Sequence, residues 1–189
     1  MTKPQLDVVR LVGTLDRHGV VYLIVGGLAA TSYGARRLSD DADCVISRER
    51  TNLDRLAVAM RELGARLHVE GMSDEEAKQL PVQLDGDTLG ALEISTWLTD
   101  AGGLDVLADL PAADGRRIPY EELARRATTI HGEGFVIRAA ALDDIIASKE
   151  WANRKKDHEA LPELYELRAA SERSADSSGA SRRPQDAAW

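Results

Sequence analysis

The sequence predicts an α+β domain, a mixed sheet with flanking helices and a helical C-terminal portion. Three observations carry the prediction. A continuous β-branched and aromatic run, Val20-Val21-Tyr22-Leu23-Ile24-Val25, follows a segment of helical periodicity. The stretch Leu92-Glu93-Ile94-Ser95-Thr96-Trp97 alternates like a half-buried strand and meets Leu104-Asp105-Val106-Leu107 across Gly102-Gly103, the pattern of a hairpin. Residues 141–153 and 157–170 then read as two successive helices. With 189 residues, 43% of them apolar, the chain is long enough for one proper core.

The remaining elements fall between these anchors. Leu6, Val9, Val12 and Leu15 recur at three-to-four spacing, which predicts a first amphipathic helix ending near His18-Gly19. After the first strand come Gly26-Gly27 and a short helix over 28–33, stopped by Gly34. A charged turn leads into a second strand, Ala42-Asp43-Cys44-Val45-Ile46. Residues 51–63 form a helix with Leu53, Leu56, Ala57, Met60 and Leu63 on one face, closed by Gly64, and 66–69 start another strand. Residues 70–91 are polar, with a short helix expected over 74–80. Phe135 to Ala139 is the last strand, introduced by Gly132 and Gly134. From Ser171 onward large apolar residues nearly vanish, so 171–189 is expected to be a disordered tail. The expected organisation is a core over 1–115, a C-terminal portion over 116–170 that completes a cleft, and that tail.

Charge and composition exclude several classes. The longest mainly apolar stretch, residues 19–30, is 12 long, short of the ~20 needed to cross a bilayer. The N-terminus lacks the apolar segment of a secretory signal, and a single cysteine, Cys44, provides no disulfide framework. A soluble, cytoplasmic protein with no membrane partner is expected. The net charge of −8 argues against general nucleic-acid binding, which rests on neutralising phosphates. The distribution is uneven, however. Residues 1–115 carry 11 Lys and Arg against 19 Asp and Glu, whereas 116–156 carry 9 against 6. That basic block holds Arg116-Arg117, Arg125-Arg126 and Arg154-Lys155-Lys156, a face for a nucleotide or an RNA end, or simply solvated helix and turn surface.

One constellation points to chemistry: Val25-Gly26-Gly27, a short spacer, then Ser39-Asp40-Asp41-Ala42-Asp43. A glycine pair where a buried strand meets a helix start lets a phosphate approach backbone N–H groups. Asp41 and Asp43 lie two apart at the start of a strand, so their side chains share a face. Converging hard oxygen ligands are what Mg²⁺ bound together with nucleotide phosphates requires. The same acidic run also reads as an ordinary turn before a strand. Other chemistries lack support: His18, His68, His131 and His158 are too scattered for zinc, Cys44 reads as a core residue, and no serine-nucleophile elbow is present.

The pattern Gly-Gly, short helix, Gly34, Arg37-x-Ser39-x-Asp41-x-Asp43 resembles the signature of the DNA polymerase beta-like nucleotidyltransferase superfamily. In its Arg-x-Ser-x-Asp-x-Asp form it is similar to nucleotidyltransferase toxins of bacterial toxin–antitoxin and abortive-infection systems. Later landmarks also match: Asp105 in Leu-Asp-Val-Leu, Lys149 on a helix, and Arg154-Lys155-Lys156-Asp157. The resemblance spans about residues 20–165 and implies a nucleotidyltransferase-type mixed sheet. It implies that Gly26 and Gly27 cradle the triphosphate, that Asp41, Asp43 and Asp105 bind one or two Mg²⁺ ions, and that Asp105 can serve as base. It further implies that Lys149 contacts the triphosphate, that Asp157 orders Lys149 or Arg37, and that Ser39 bonds Asp41 or a phosphate. In related toxins a partner can phosphorylate the equivalent hydroxyl.

The implied activity is Mg²⁺-dependent transfer of a nucleoside monophosphate from NTP, ATP among the candidates, to an acceptor hydroxyl. A tRNA 3′ end is the first implied acceptor, guided by Arg116, Arg117, Arg125, Arg126 and Lys155, in a toxin-like protein with a cognate antitoxin. The alternatives are a small-molecule (aminoglycoside-type) or protein nucleotidyltransferase, or a non-catalytic nucleotide-binding, antitoxin-like module.

Overall fold

The computed structural model describes residues 4–37, 39–69, 71–72, 76, 79–80 and 82–180, without the side chains of 175–180. A seven-stranded mixed sheet forms the centre, in the order β3-β4-β5-β2-β1-β9-β8. Its strands are β1 (Tyr22–Val25), β2 (Asp41–Ile46), β3 (Arg66–His68), β4 (Ile94–Thr99), β5 (Gly102–Leu107), β8 (Thr128–Gly132) and β9 (Phe135–Ala139). A separate two-stranded ribbon pairs β6 (Asp109–Pro111) with β7 (Arg117–Pro119). The helices are α1 (Val8–Arg17), α2 (Gly26–Ser32), α3 (Arg50–Glu62), α4 (Gly86–Ala91), α5 (Tyr120–Leu123), α6 (Leu142–Ala152) and α7 (Lys155–Ala180). The α+β class with a mixed sheet and a helical C-terminal part is thus observed.

The apolar face predicted for α3 does the packing, with Leu53, Leu56, Ala57 and Met60 buried and Leu63 just beyond it, whereas in α1 Val12 and Leu15 are buried together with Leu11 and Val9 is 49% exposed. Asp7 caps α1, its carboxylate accepting from the Arg10 amide at 2.9 Å. All four residues of β1 are buried, because the strand sits between β2 and β9 with helices on its faces. Since β9 pairs in parallel with β1 at Ile24 and Ala139, one sheet takes strands from both sides of residue 115.

Several elements differ from expectation. Gly102 and Gly103 open β5 instead of forming the hairpin turn, which is Asp100-Ala101; Thr99 and Gly102 are already paired. A Cβ on Gly102 would lie 2.8 Å from the Leu6 backbone, so the glycine is there for a close chain crossing. The polar stretch contains α4 at Gly86–Ala91, with Asp85 as N-cap to the Thr88 amide. Most of the helix expected over 74–80 lies outside the described residues. Helix α7 continues ten residues into the segment from 171 on that was expected to lack order, because extending an established helix adds a bond per residue without a new nucleus. Residues 181–189 lie outside the described residues.

Asn52 locks the crossing between α3 and the β1–β2 pair. Its amide donates to the carbonyls of Val21 (2.9 Å) and Ser47 (2.8 Å) and accepts from the Val21 amide (2.6 Å), all at 2% exposure. Asn52→Ala removes the partner of the Val21 amide and of the Ser47 carbonyl, while the Val21 carbonyl keeps the Ser47 amide at 3.1 Å, and is expected to cost ~2–4 kcal/mol in urea denaturation. Val58→Ala, on the exposed side of the same helix, should stay within about 0.5 kcal/mol.

Candidate active site

The site is built where β1, β2 and β5 run side by side. Antiparallel pairing sets Val25 opposite Asp43, so the Gly26-Gly27 turn leaves β1 at the acidic end of β2. Parallel pairing of β2 with β5 sets Asp43 beside Asp105 and Asp41 beside Gly103. Asp41 and Asp43, alternate residues of one strand, share a face. All three carboxylates line a cleft of about 340 Å³, together with Gly26, Gly27, Arg37, Ser39 and Lys149.

Backbone and carboxylates are in close contact there. Gly26 has φ +63°, and a Cβ on it would lie 2.7 Å from the Asp43 Cγ. A Cβ on Gly27 would lie 2.7 Å from the Ser39 Oγ, and that hydroxyl donates to the Asp41 carbonyl at 2.7 Å. No side chain caps the start of α2. Thr31 holds the spacer from beneath, its hydroxyl 3.1 Å from the Gly27 carbonyl and 3.2 Å from that of Arg37.

The electrostatics centre on Asp43. Burial pushes its carboxyl up to about 6 and the Asp105 charge adds to the shift, while Lys156 and Lys149 act the other way. Across the cleft, the Lys149 ammonium lies 3.4 Å from Asp157, which is fully shielded from solvent. Asp157 also accepts from the Arg154 amide (3.2 Å) and guanidinium (2.7 and 3.3 Å), closing the first turn of α7. Burial alone would raise the Asp157 carboxyl, but the Arg154 bonds and charge, with Lys149, hold it below the usual range. Of the two partners expected for Asp157, it engages Lys149; Arg37 instead pairs with Glu159 at 3.3 Å.

Two cleft residues, Arg154 and Lys156, were not singled out for the nucleotide site, whereas Lys155 between them does not line the cleft. The basic triplet was visible in sequence, but only the start of α7 decides which of its members turn inward. The arginines expected to guide RNA are engaged elsewhere. Arg116 bonds Glu122 at 3.0 and 3.1 Å, Arg117 pairs with Asp109 at 2.6 Å, and Arg126 grips the buried Asp144 with two bonds of 2.6 and 2.7 Å. Arg125 is exposed, and none of the four lines the main cleft. Cys44 is fully buried, its thiol pushed up by burial and the neighbouring carboxylates, as befits a core residue.

Fold and cleft together define a nucleotidyltransferase fold. Solved structures agree: ANT(2")-Ia in complex with adenylyl-2"-tobramycin aligns with a TM-score of 0.51 at 19% identity, covering 85% of this chain and 92% of that one. The solution structure of the same antibiotic-resistance factor gives a TM-score of 0.51 at 18% identity, over 92% and 95% of the two chains. A proposed nucleotidyltransferase of Thermotoga maritima gives a TM-score of 0.51 at 13% identity, over 83% and 89%. No protein-family model matches the sequence, and no curated protein matches it significantly.

The donor set fits a divalent cation. Among the described residues no group of three or more His, Cys, Asp or Glu is placed to hold a metal ion. Asp43 and Asp105 nevertheless form an all-oxygen pair in adjoining strands, and Asp41 stands on the same face. Mg²⁺ is commonly held by one or two carboxylates plus substrate phosphates, so an open pair suffices.

Two outcomes test this geometry. A carboxyl whose folded pKa lies above its unfolded value costs stability above that pKa, and the cost fades as pH falls toward 4. Asp43→Asn is therefore expected to stabilise the EDTA-treated protein at pH 7.5 by on the order of 1 kcal/mol in urea denaturation, with the gain vanishing near pH 4. A variant less stable at both pH values would contradict the assignment. Gly26→Ala forces a left-handed alanine against Asp43; it should cost at least ~1 kcal/mol and weaken nucleotide binding measured by calorimetry.

Proposed function

We propose that this protein is a Mg²⁺-dependent nucleotidyltransferase that moves a nucleoside monophosphate from an NTP to the hydroxyl of a small-molecule acceptor. The observation that carries the reading is the apposition, in one cleft, of the Asp43–Asp105 pair, the Gly26-Gly27 turn and a lysine held by a buried carboxylate. Gly26 and Gly27 offer backbone N–H groups to the phosphates, and Lys149, kept in place by Asp157, adds a point charge opposite them. Asp41, Asp43 and Asp105 would hold Mg²⁺, which lowers the cost of charge developing on the phosphates and leaving group. Asp105 accepts the acceptor's hydroxyl proton as its oxygen bonds the α-phosphorus. The bond to the β-phosphate oxygen breaks on the opposite side, and pyrophosphate leaves with Lys149 and Arg154 near its charge.

A small acceptor is favoured over the tRNA 3′ end and toxin-like role that the sequence resemblance implied. Three of the four arginines that would guide RNA, Arg116, Arg117 and Arg126, are held in intramolecular ion pairs, none of the four lines the main cleft, and the chain carries a net charge of −8. The adenylylated tobramycin in the ANT(2")-Ia complex is consistent with a small hydroxyl acceptor on this fold. Arg37 and Ser39 would complete the nucleotide site. The presence of all three carboxylates and the lysine favours catalysis over a non-catalytic binding module. No helix among the described residues is long and apolar enough to cross a membrane.

The test is label transfer from each α-³²P-NTP with Mg²⁺, offered tRNA and pools of small hydroxyl compounds. Wild type is expected to label a small compound, and Asp41→Asn to lose at least about a thousandfold in rate while its circular dichroism is unchanged. Full activity in Asp41→Asn would refute the site, and label confined to tRNA would restore the RNA acceptor.

A further inference from the structure

Four cationic side chains line the main cleft: Arg37, Lys149, Arg154 and Lys156. Three of them are already engaged. Arg37 pairs with Glu159 at 3.3 Å, and Lys149 and Arg154 share the buried Asp157 at 3.4 and 2.7 Å. Lys156 has no ion pair or hydrogen bond among the described residues, so it is the one uncommitted positive charge of the cleft among them. The acid on its own wall, Glu163, is neutralised by Arg36, which gives it both its amide (3.1 Å) and its guanidinium (3.0 Å).

The start of α7 puts Lys156 there. Lys156, Ala160, Glu163 and Leu164 all line the cleft, and their spacing of four, seven and eight residues marks one face of a helix. Lys155 lies off that face, and Asp157 turns into the protein to close the first turn. Two adjacent lysines are thereby split, one facing the acidic strands and one facing away.

The acidic strands set what Lys156 can reach. Of the positive charges that act on Asp43, that of Lys156 is the larger and that of Lys149 the smaller. Asp43 in turn stands beside Asp105 in the β2–β5 register. In the proposed reaction Asp105 takes the acceptor's proton as the new bond forms at the α-phosphorus, so the α-phosphate lies beside this carboxylate pair. Without ligands the Lys156 charge offsets that of Asp43. Once Mg²⁺ satisfies the carboxylates, the phosphate is the partner left for an ammonium that no other carboxylate holds.

We infer that Lys156 is a catalytic residue whose ammonium contacts a non-bridging oxygen of the α-phosphate, while Lys149, held by Asp157, serves the departing pyrophosphate. The inference rests on the nucleotidyltransferase reading of the cleft and gives a role to a residue to which the sequence resemblance assigned none. No proton leaves the ammonium. The acceptor's proton goes to Asp105, the acceptor oxygen bonds the α-phosphorus, and the bond to the β-phosphate oxygen breaks. Lys156 supplies fixed positive charge to oxygens whose negative charge grows in the transition state.

The probe is the α,β-methylene analogue of each NTP, titrated with Mg²⁺ by calorimetry, and the tightest-binding analogue is then followed by ³¹P NMR. Lys156 is exposed to the cleft, so Lys156→Met should fold, as circular dichroism would verify. That variant should bind the analogue at least about tenfold more weakly than wild type, and Lys156→Arg should recover part of the loss. Lys155→Met, which removes the same charge one residue away, should change affinity by less than about twofold. With the analogue bound, wild type and Lys156→Met should differ most at the α resonance. Equal affinity in wild type and Lys156→Met, an equal loss in Lys155→Met, or a larger spectral change at the β or γ resonance would each overturn the inference and leave the proposed function standing. Failure of wild type to bind any analogue with Mg²⁺ would refute the proposed function itself.

Discussion

Two carboxylates, Asp43 and Asp105, are held side by side by the parallel pairing of β2 with β5. Like charges at this separation resist ionising together, and burial adds to the cost, which is why Asp43 is pushed up to about 6. The surrounding cleft is arranged around that cost. Lys149 and Lys156 supply positive charge from the opposite wall, and the absence of side chains at Gly26 and Gly27 lets backbone approach the same point. A fold that keeps an unfavourable pair in register at an open cleft bears a local cost in stability there, which the proposed cation and phosphates would offset.

The helices C-terminal to the sheet make that arrangement rigid. Asp157 is fully shielded and accepts from Arg154 and Lys149, so one carboxylate closes the first turn of α7 and fixes the cationic wall. Removing it would leave a half-buried lysine without its partner as well as an uncapped helix. On the other flank, the Tyr33 hydroxyl donates to the Ala140 carbonyl at 2.9 Å, tying the end of α2 to the exit of β9. The glycine turn, the acidic strands and the lysine helix are thus fixed relative to one another through a short chain of buried contacts.

Much of this was legible in the sequence where local pattern and tertiary role coincide. Tyr22 to Val25 are buried because β1 is central, and Asp41 and Asp43 share a face by strand periodicity alone. The site residues named from sequence, from Gly26 to Asp157, all belong to or border one cleft; their roles in transfer are the proposal. Less legible were elements whose reason lies elsewhere in the chain. Gly102 looks like a turn residue but is a strand residue crossed by Leu6. The ribbon β6–β7 is three residues per strand, too short for alternation to show. Arginine doublets look like a nucleic-acid surface until Glu122, Asp109 and Asp144 are found against them. Lys156 and Lys155 are indistinguishable in sequence, and only the start of a helix separates the one that lines the cleft from the one that does not.

In the proposed function the paired carboxylates and the glycine turn form one site, which a divalent cation and a nucleoside triphosphate complete together. Calorimetric titration of a non-hydrolysable NTP analogue into wild-type protein, with Mg²⁺ and then with EDTA, tests it most directly. The account predicts one binding site per chain with Mg²⁺ and a loss of at least about a hundredfold in affinity without it. Equal affinity in the two conditions, or no binding in either, would contradict it.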